Sequence, residues 1–65
     1  MAKGYYKKVV EILERNGCSF HRQGKGDHEI WVSPLSSRPF TVDKVLLSRH
    51  TANATLKDAG IDEKV

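Results

Sequence analysis

The segment Arg22-Gln23-Gly24-Lys25-Gly26-Asp27-His28-Glu29-Ile30-Trp31 concentrates the side chains most capable of chemistry. Its glycines flex a hairpin loop and permit close backbone approach to a ligand, and the loop delivers His28 to the start of a strand. An imidazole in such a place can act as base or acid near neutrality, because the free ring titrates at ~6.5. The carboxylates expected to act on it by charge proximity are its neighbours Asp27 and Glu29. The same pattern also fits a plain hairpin with an exposed histidine.

The other reactive side chains carry weaker signals. His50, in Ser48-Arg49-His50-Thr51, stands where a second helix is expected to begin. Backbone N–H groups and the helix dipole favour a phosphate there, and simple capping by Ser48 is the alternative. His21 reads as a sheet-surface residue. Cys18, His21, His28 and His50 include no C-x-x-C or H-x-x-x-H pair, so no metal site is expected. Cys18, with apolar flanks, reads as a small core residue rather than a nucleophile.

These residues need elements to position them. Tyr5, Val9, Ile12 and Leu13 recur at helical spacing between charged residues, predicting an amphipathic helix from Lys3 to Asn16 with Gly17 as its stop. Cys18 to Arg22, Glu29 to Ser33 and Pro39 to Val42 have strand character and are separated by Gly24-Lys25-Gly26-Asp27 and Pro34-Leu35-Ser36-Ser37, which predicts two hairpins. Ile30 and Val32 alternate with Glu29, Trp31 and Ser33; the aliphatic pair is expected to face the core and Trp31 the more open side, where it would be half-buried or stack on a base. Asp43 to Leu47 is an aliphatic connection. Ser48 then caps a helix running to about Ala59, stopped by Gly60, with Ala52, Leu56 and Ala59 as its buried stripe. The expected core gathers Val9, Ile12, Leu13, Ile30, Val32 and Leu56. The fold class is α+β, two layers in the order α-β-β-β-α: a three-stranded antiparallel sheet with two helices on one face.

With 65 residues, of which 38% are hydrophobic, the chain 1–65 reads as a single domain whose site must be shallow or shared with a partner. Deep substrate pockets and two-domain clefts are excluded. One cysteine leaves no internal disulfide, no apolar run approaches the ~20 residues of a membrane span, and Met1 to Lys8 lacks the apolar segment of a signal peptide. A reducing cytoplasm is the compartment expected. The net charge of +3 is a modest bias toward polyanions. Lys3, Lys7, Lys8, Lys25, Arg38, Lys44 and Arg49 are scattered, so only folding could gather them into a track.

Taken together, the helix ending Leu13-Glu14-Arg15-Asn16-Gly17, the Arg22 strand, the Gly26-Asp27-His28 turn leading to Ile30-Trp31, and the closing Thr55-Leu56-Lys57-Asp58-Ala59-Gly60-Ile61 resemble the HicA toxins, small mRNA endoribonucleases of toxin–antitoxin pairs. The resemblance covers nearly the whole chain. It implies a fold like that of double-stranded-RNA-binding domains, one essential histidine matching His28, mRNA as substrate and a HicB-like antitoxin as partner; no cofactor is expected. Many members carry Ser or Thr before that histidine, where this chain has Asp27. RNA cleavage needs a base for the 2′-hydroxyl proton and an acid for the departing 5′-oxygen. His28 is assigned as the base or the acid, its partner in that exchange left open, with Arg22 or Lys25 offsetting the negative charge of the transition state. Arg38, Arg49 and His50 are further candidate RNA contacts. The rival reading is a non-catalytic RNA-binding module of the same fold, in which His28 is one more polar contact.

Overall fold

The structure, a computed structural model, describes residues 4–65. Its elements follow in the order α1 (Tyr6–Arg15), β1 (Ser19–Gln23), β2 (His28–Val32), β3 (Phe40–Asp43) and α2 (Arg49–Asp58). The sheet is antiparallel with β2 at its centre, and both helices lie over one face, giving the expected two-layer α-β-β-β-α arrangement. Lys3, the expected start of the first helix, lies outside the described residues, and α1 begins after Tyr5 without a side-chain cap.

The helices form and stop for local reasons. Val9, Ile12 and Leu13 place one apolar stripe of α1 in the core, while Ala52, Thr55 and Leu56 do so for α2. Ser48 caps α2 by accepting the Thr51 N–H at 3.4 Å, a contact that typically contributes ~1 kcal/mol. Each helix ends in a pair of reversed hydrogen bonds: Cys18 N–H to Leu13 O and Gly17 N–H to Glu14 O for α1, Ile61 N–H to Leu56 O and Gly60 N–H to Lys57 O for α2. At Gly60 the left-handed φ of 79° is matched by crowding, since a Cβ would sit 2.7 Å from the Leu35 carbonyl oxygen. The residues that follow the two turns, Cys18 and Ile61, are buried, so both caps return the chain to the core.

The core joins Val9, Ile12 and Leu13 to Trp31, Phe40, Val42, Leu46, Ala52, Leu56, Ala59 and Ile61. One expectation is reversed here. Trp31 is only 4% exposed and packs against the helices, whereas Ile30 and Val32 lie on the uncovered face of the sheet and are only partly buried. The neighbours of Trp31 explain the choice. Its indole N–H donates to Glu29 Oε1 at 3.0 Å, the Tyr6 hydroxyl donates to the same oxygen at 2.8 Å, and Ser33 donates to the Ala59 carbonyl at 2.7 Å. With those partners Glu29 and Ser33 join Trp31 on the helix side, and period-two alternation turns His28, Ile30 and Val32 outward. Burial and the Glu29 carboxylate push the Tyr6 phenol up to about 12.

Candidate functional site on the open sheet face

His28 is the first residue of β2, and its position is built by the β1–β2 turn. The Lys25–His28 turn closes with His28 N–H to Lys25 O at 3.0 Å and Gly24 N–H to His28 O at 2.8 Å. Positive φ falls at Gly26 (59°) and not at Asp27, the pattern of a type II′ hairpin turn. Position 27 therefore has ordinary backbone geometry, which Asp accommodates as well as Ser or Thr would. The Gln23 amide braces the turn by donating to Gly26 O at 3.1 Å and His28 O at 3.0 Å, a role the sequence did not signal.

The turn is also tied to the far end of β3. Lys44 N–H donates to the Asp27 carbonyl at 2.8 Å, and His28 is directly paired with Asp43 in the β2–β3 ladder. Asp43 is thereby placed beside the imidazole, with Oδ2 at 3.8 Å from His28 Nε2. Its other oxygen accepts the Val45 N–H at 2.9 Å, which fixes the orientation of the carboxylate. The His28 side chain is 52% exposed and that of Asp43 38%. Together with Lys25, Gly26, Asp27 and Val45 they line an open depression of about 480 Å³.

The carboxylate that lies 3.8 Å from His28 is Asp43, which was not among the two expected. Glu29 is turned to the opposite face and held there by Tyr6 and Trp31, so it is removed from the imidazole. Asp27 lines the depression and reaches β3 through its backbone carbonyl. Asp43 could not be found from sequence spacing, because its place depends on the β2–β3 register across an irregular connection.

The basic candidates separate into two groups. Lys25 lines the His28 depression, and Arg22 lies opposite Ile30 in the β1–β2 ladder, on the same open face. Arg38 lines a different depression with Pro39, Phe40, Thr41 and Asp58; His50 lines another with Asn53 and Lys57. Arg49 is the exposed first residue of α2. These three are not brought to His28. His21 is exposed at the irregularity between Phe20 and Arg22 in β1, and Cys18 is buried in the core. Trp31, enclosed as it is, offers no stacking surface. Phe20 is half exposed and meets it edge-on with ring centroids 6.4 Å apart. Among the described residues, no group of three His, Cys, Asp or Glu side chains is placed to hold a metal ion.

A family model described as the HicA toxin of bacterial toxin-antitoxin matches residues 6–61, nearly the whole chain. The chain belongs to the HicA toxin family. It is accordingly the toxin of a toxin–antitoxin system, with a cognate antitoxin as its partner. No curated protein and no solved structure matches the chain. The HicA match spans the Gln23 brace, the Lys25–His28 turn and Asp43, so the depression lies within the family's own domain. No helix among the described residues is long and apolar enough to cross a membrane.

Proposed function

We propose that this HicA toxin is an endoribonuclease that cuts mRNA in the cytoplasm, with His28 as its catalytic residue. The observation that carries the reading is the half-exposed imidazole beside Asp43 and Lys25, in an open depression on the uncovered side of the sheet. A phosphodiester backbone can reach such a site without entering a cleft. His28 takes the proton of a 2′-hydroxyl; the 2′-oxygen bonds to the adjacent phosphorus, and the bond from phosphorus to the 5′-oxygen breaks. The leaving oxygen takes a proton from water, and the imidazolium returns its own to solvent. The products are a 2′,3′-cyclic phosphate and a 5′-hydroxyl. Lys25, and Arg22 from the same face, offset the charge that builds on the phosphoryl oxygens. Arg38, Arg49 and His50 lie apart from the reacting atoms and serve, in this reading, as contacts for the flanking strand.

An open site is also easily covered, and a HicB-like antitoxin seated over His28 would silence the toxin by excluding RNA. The test is incubation of purified protein and of His28→Ala with a long RNA in the presence of chelator, with mapping of the cut ends. Cuts ending in 2′,3′-cyclic phosphate, from the wild type and not from His28→Ala, are expected; the loss from a missing acid–base group is roughly 10²–10⁴-fold. Binding without scission by folded, antitoxin-free protein would overturn the enzyme in favour of an RNA-binding module.

A further inference from the structure

We infer that Asp43 is a positioning residue for His28: it selects which ring nitrogen carries the proton and leaves Nδ1 as the nitrogen that meets the substrate. The inference rests on the ribonuclease reading for its catalytic consequence, but its structural half stands on geometry alone.

Three observations combine. His28 and Asp43 are directly paired across the β2–β3 ladder, so the two side chains leave the same face of the sheet side by side. The nitrogen nearest the carboxylate is Nε2, at 3.8 Å from Oδ2. The carboxylate is not free to turn, because Oδ1 accepts the Val45 N–H at 2.9 Å. At 3.8 Å the two groups are neighbours but not hydrogen-bonded, and catalytic contacts of this kind often tighten only when substrate is bound. An acceptor-only oxygen facing Nε2 favours the neutral tautomer with hydrogen on Nε2. Nδ1 then carries the lone pair that a base requires. When the ring is doubly protonated, the carboxylate holds the Nε2 proton and the proton on Nδ1 is the one available for transfer.

The Val45 contact makes the consequence of one substitution specific. In Asp43→Asn the side-chain carbonyl keeps the Val45 N–H, and the amide NH₂ takes the place of Oδ2. A donor now faces Nε2, so the favoured tautomer reverses to hydrogen on Nδ1. That ring offers its lone pair to the introduced amide rather than to RNA.

The experiment reads the ¹⁵N shifts of the His28 ring in the isolated protein, at a pH where the ring is neutral, for wild type, Asp43→Asn and Asp43→Ala. Wild type is expected to show hydrogen on Nε2, Asp43→Asn the reversed tautomer, and Asp43→Ala a mixture. A short RNA substrate is then expected to show a roughly 10- to 100-fold fall in kcat for Asp43→Asn at nearly unchanged KM, less than the ~10⁴ seen where a buried aspartate orients a catalytic histidine. A wild-type ring with hydrogen on Nδ1 overturns the inference without recourse to any variant, so a variant that fails to fold does not protect it. Unchanged ring shifts in folded Asp43→Asn overturn it too. If the tautomer reverses but the wild type cuts no RNA, the pairing stands and the ribonuclease reading falls.

Discussion

Glu29 and Asp43 are carboxylates of adjoining strands in one small sheet, and the pleat sends them to opposite faces. On the helix side, Glu29 accepts from Tyr6 and Trp31 and closes a polar cluster against the core. On the open side, Asp43 accepts from the Val45 backbone and faces a half-exposed imidazole. The first carboxylate has its donors supplied by the fold, and the second keeps an oxygen turned toward a group that can gain or lose a proton. One strand, β2, serves both purposes by alternation: Glu29 and Trp31 pack the helix side while His28 stands on the open face, where the proposed chemistry would take place. In a chain this short, dividing stability and reactivity between faces spares the core from carrying a pocket.

The division between the faces is most vulnerable at Trp31. Trp31→Ala removes the largest side chain of the packed face and leaves a Glu29 oxygen with one donor fewer, at a cost of roughly 3–5 kcal/mol. Small domains have about that much stability in total, so the variant is expected to be largely unfolded at about 25 °C by circular dichroism and urea titration. A folded Trp31→Ala with a loss under about 1 kcal/mol would mean that the packed face does not depend on this cluster. His28→Ala, on the other face of the same strand and exposed, is expected to abolish cleavage while leaving the urea midpoint nearly unchanged.

The elements that carry this division were legible in the sequence. The two helices, their glycine stops, the hairpin turns and the position of His28 all rest on local chemistry, which short-range patterns express. The orientation of β2 was not, because Ile30 with Val32 and Trp31 with Ser33 each make an acceptable buried set. The choice depends on donors from outside the strand, above all Tyr6 on α1, and these turn a charged residue into a satisfied one. Asp43 was missed for the same reason. Its meeting with His28 is a matter of register between two strands, and register is set by the whole packed face rather than by any local motif.

A smaller effect sharpens the contrast through Glu29 itself. Glu29→Gln keeps the shape but removes the charge that both donors share, and a cost of about 1–2 kcal/mol is expected. The Tyr6 phenol should fall from about 12 toward 10 without reaching it, because burial, the larger cause of its shift, remains. The sign of the pH dependence follows. Between about pH 10 and 12 the unfolded phenol loses its proton while the folded one retains it, so stability is intact below that window and declines as pH rises through it. The decline should be shallower in Glu29→Gln. ¹³C shifts of Tyr6 Cζ and urea midpoints across the window measure both, and a Tyr6 titration identical in the two proteins would remove Glu29 from the account.

The smallest expected effect is on the open face, at Thr41. It is exposed and sits opposite Ile30 in the β2–β3 ladder, two positions before Asp43 and therefore on the same side of the sheet. Thr41→Val exchanges a hydroxyl for a methyl group while retaining the β-branched shape that suits a strand, so stability should change by no more than about 0.5 kcal/mol. Urea unfolding gives that number directly. A loss above about 1 kcal/mol would show that this face contributes to the fold as the other does, and would undo the division between them. Unchanged stability with altered RNA cleavage would instead extend the reactive surface along β3, away from His28 and toward the depression that Arg38 lines.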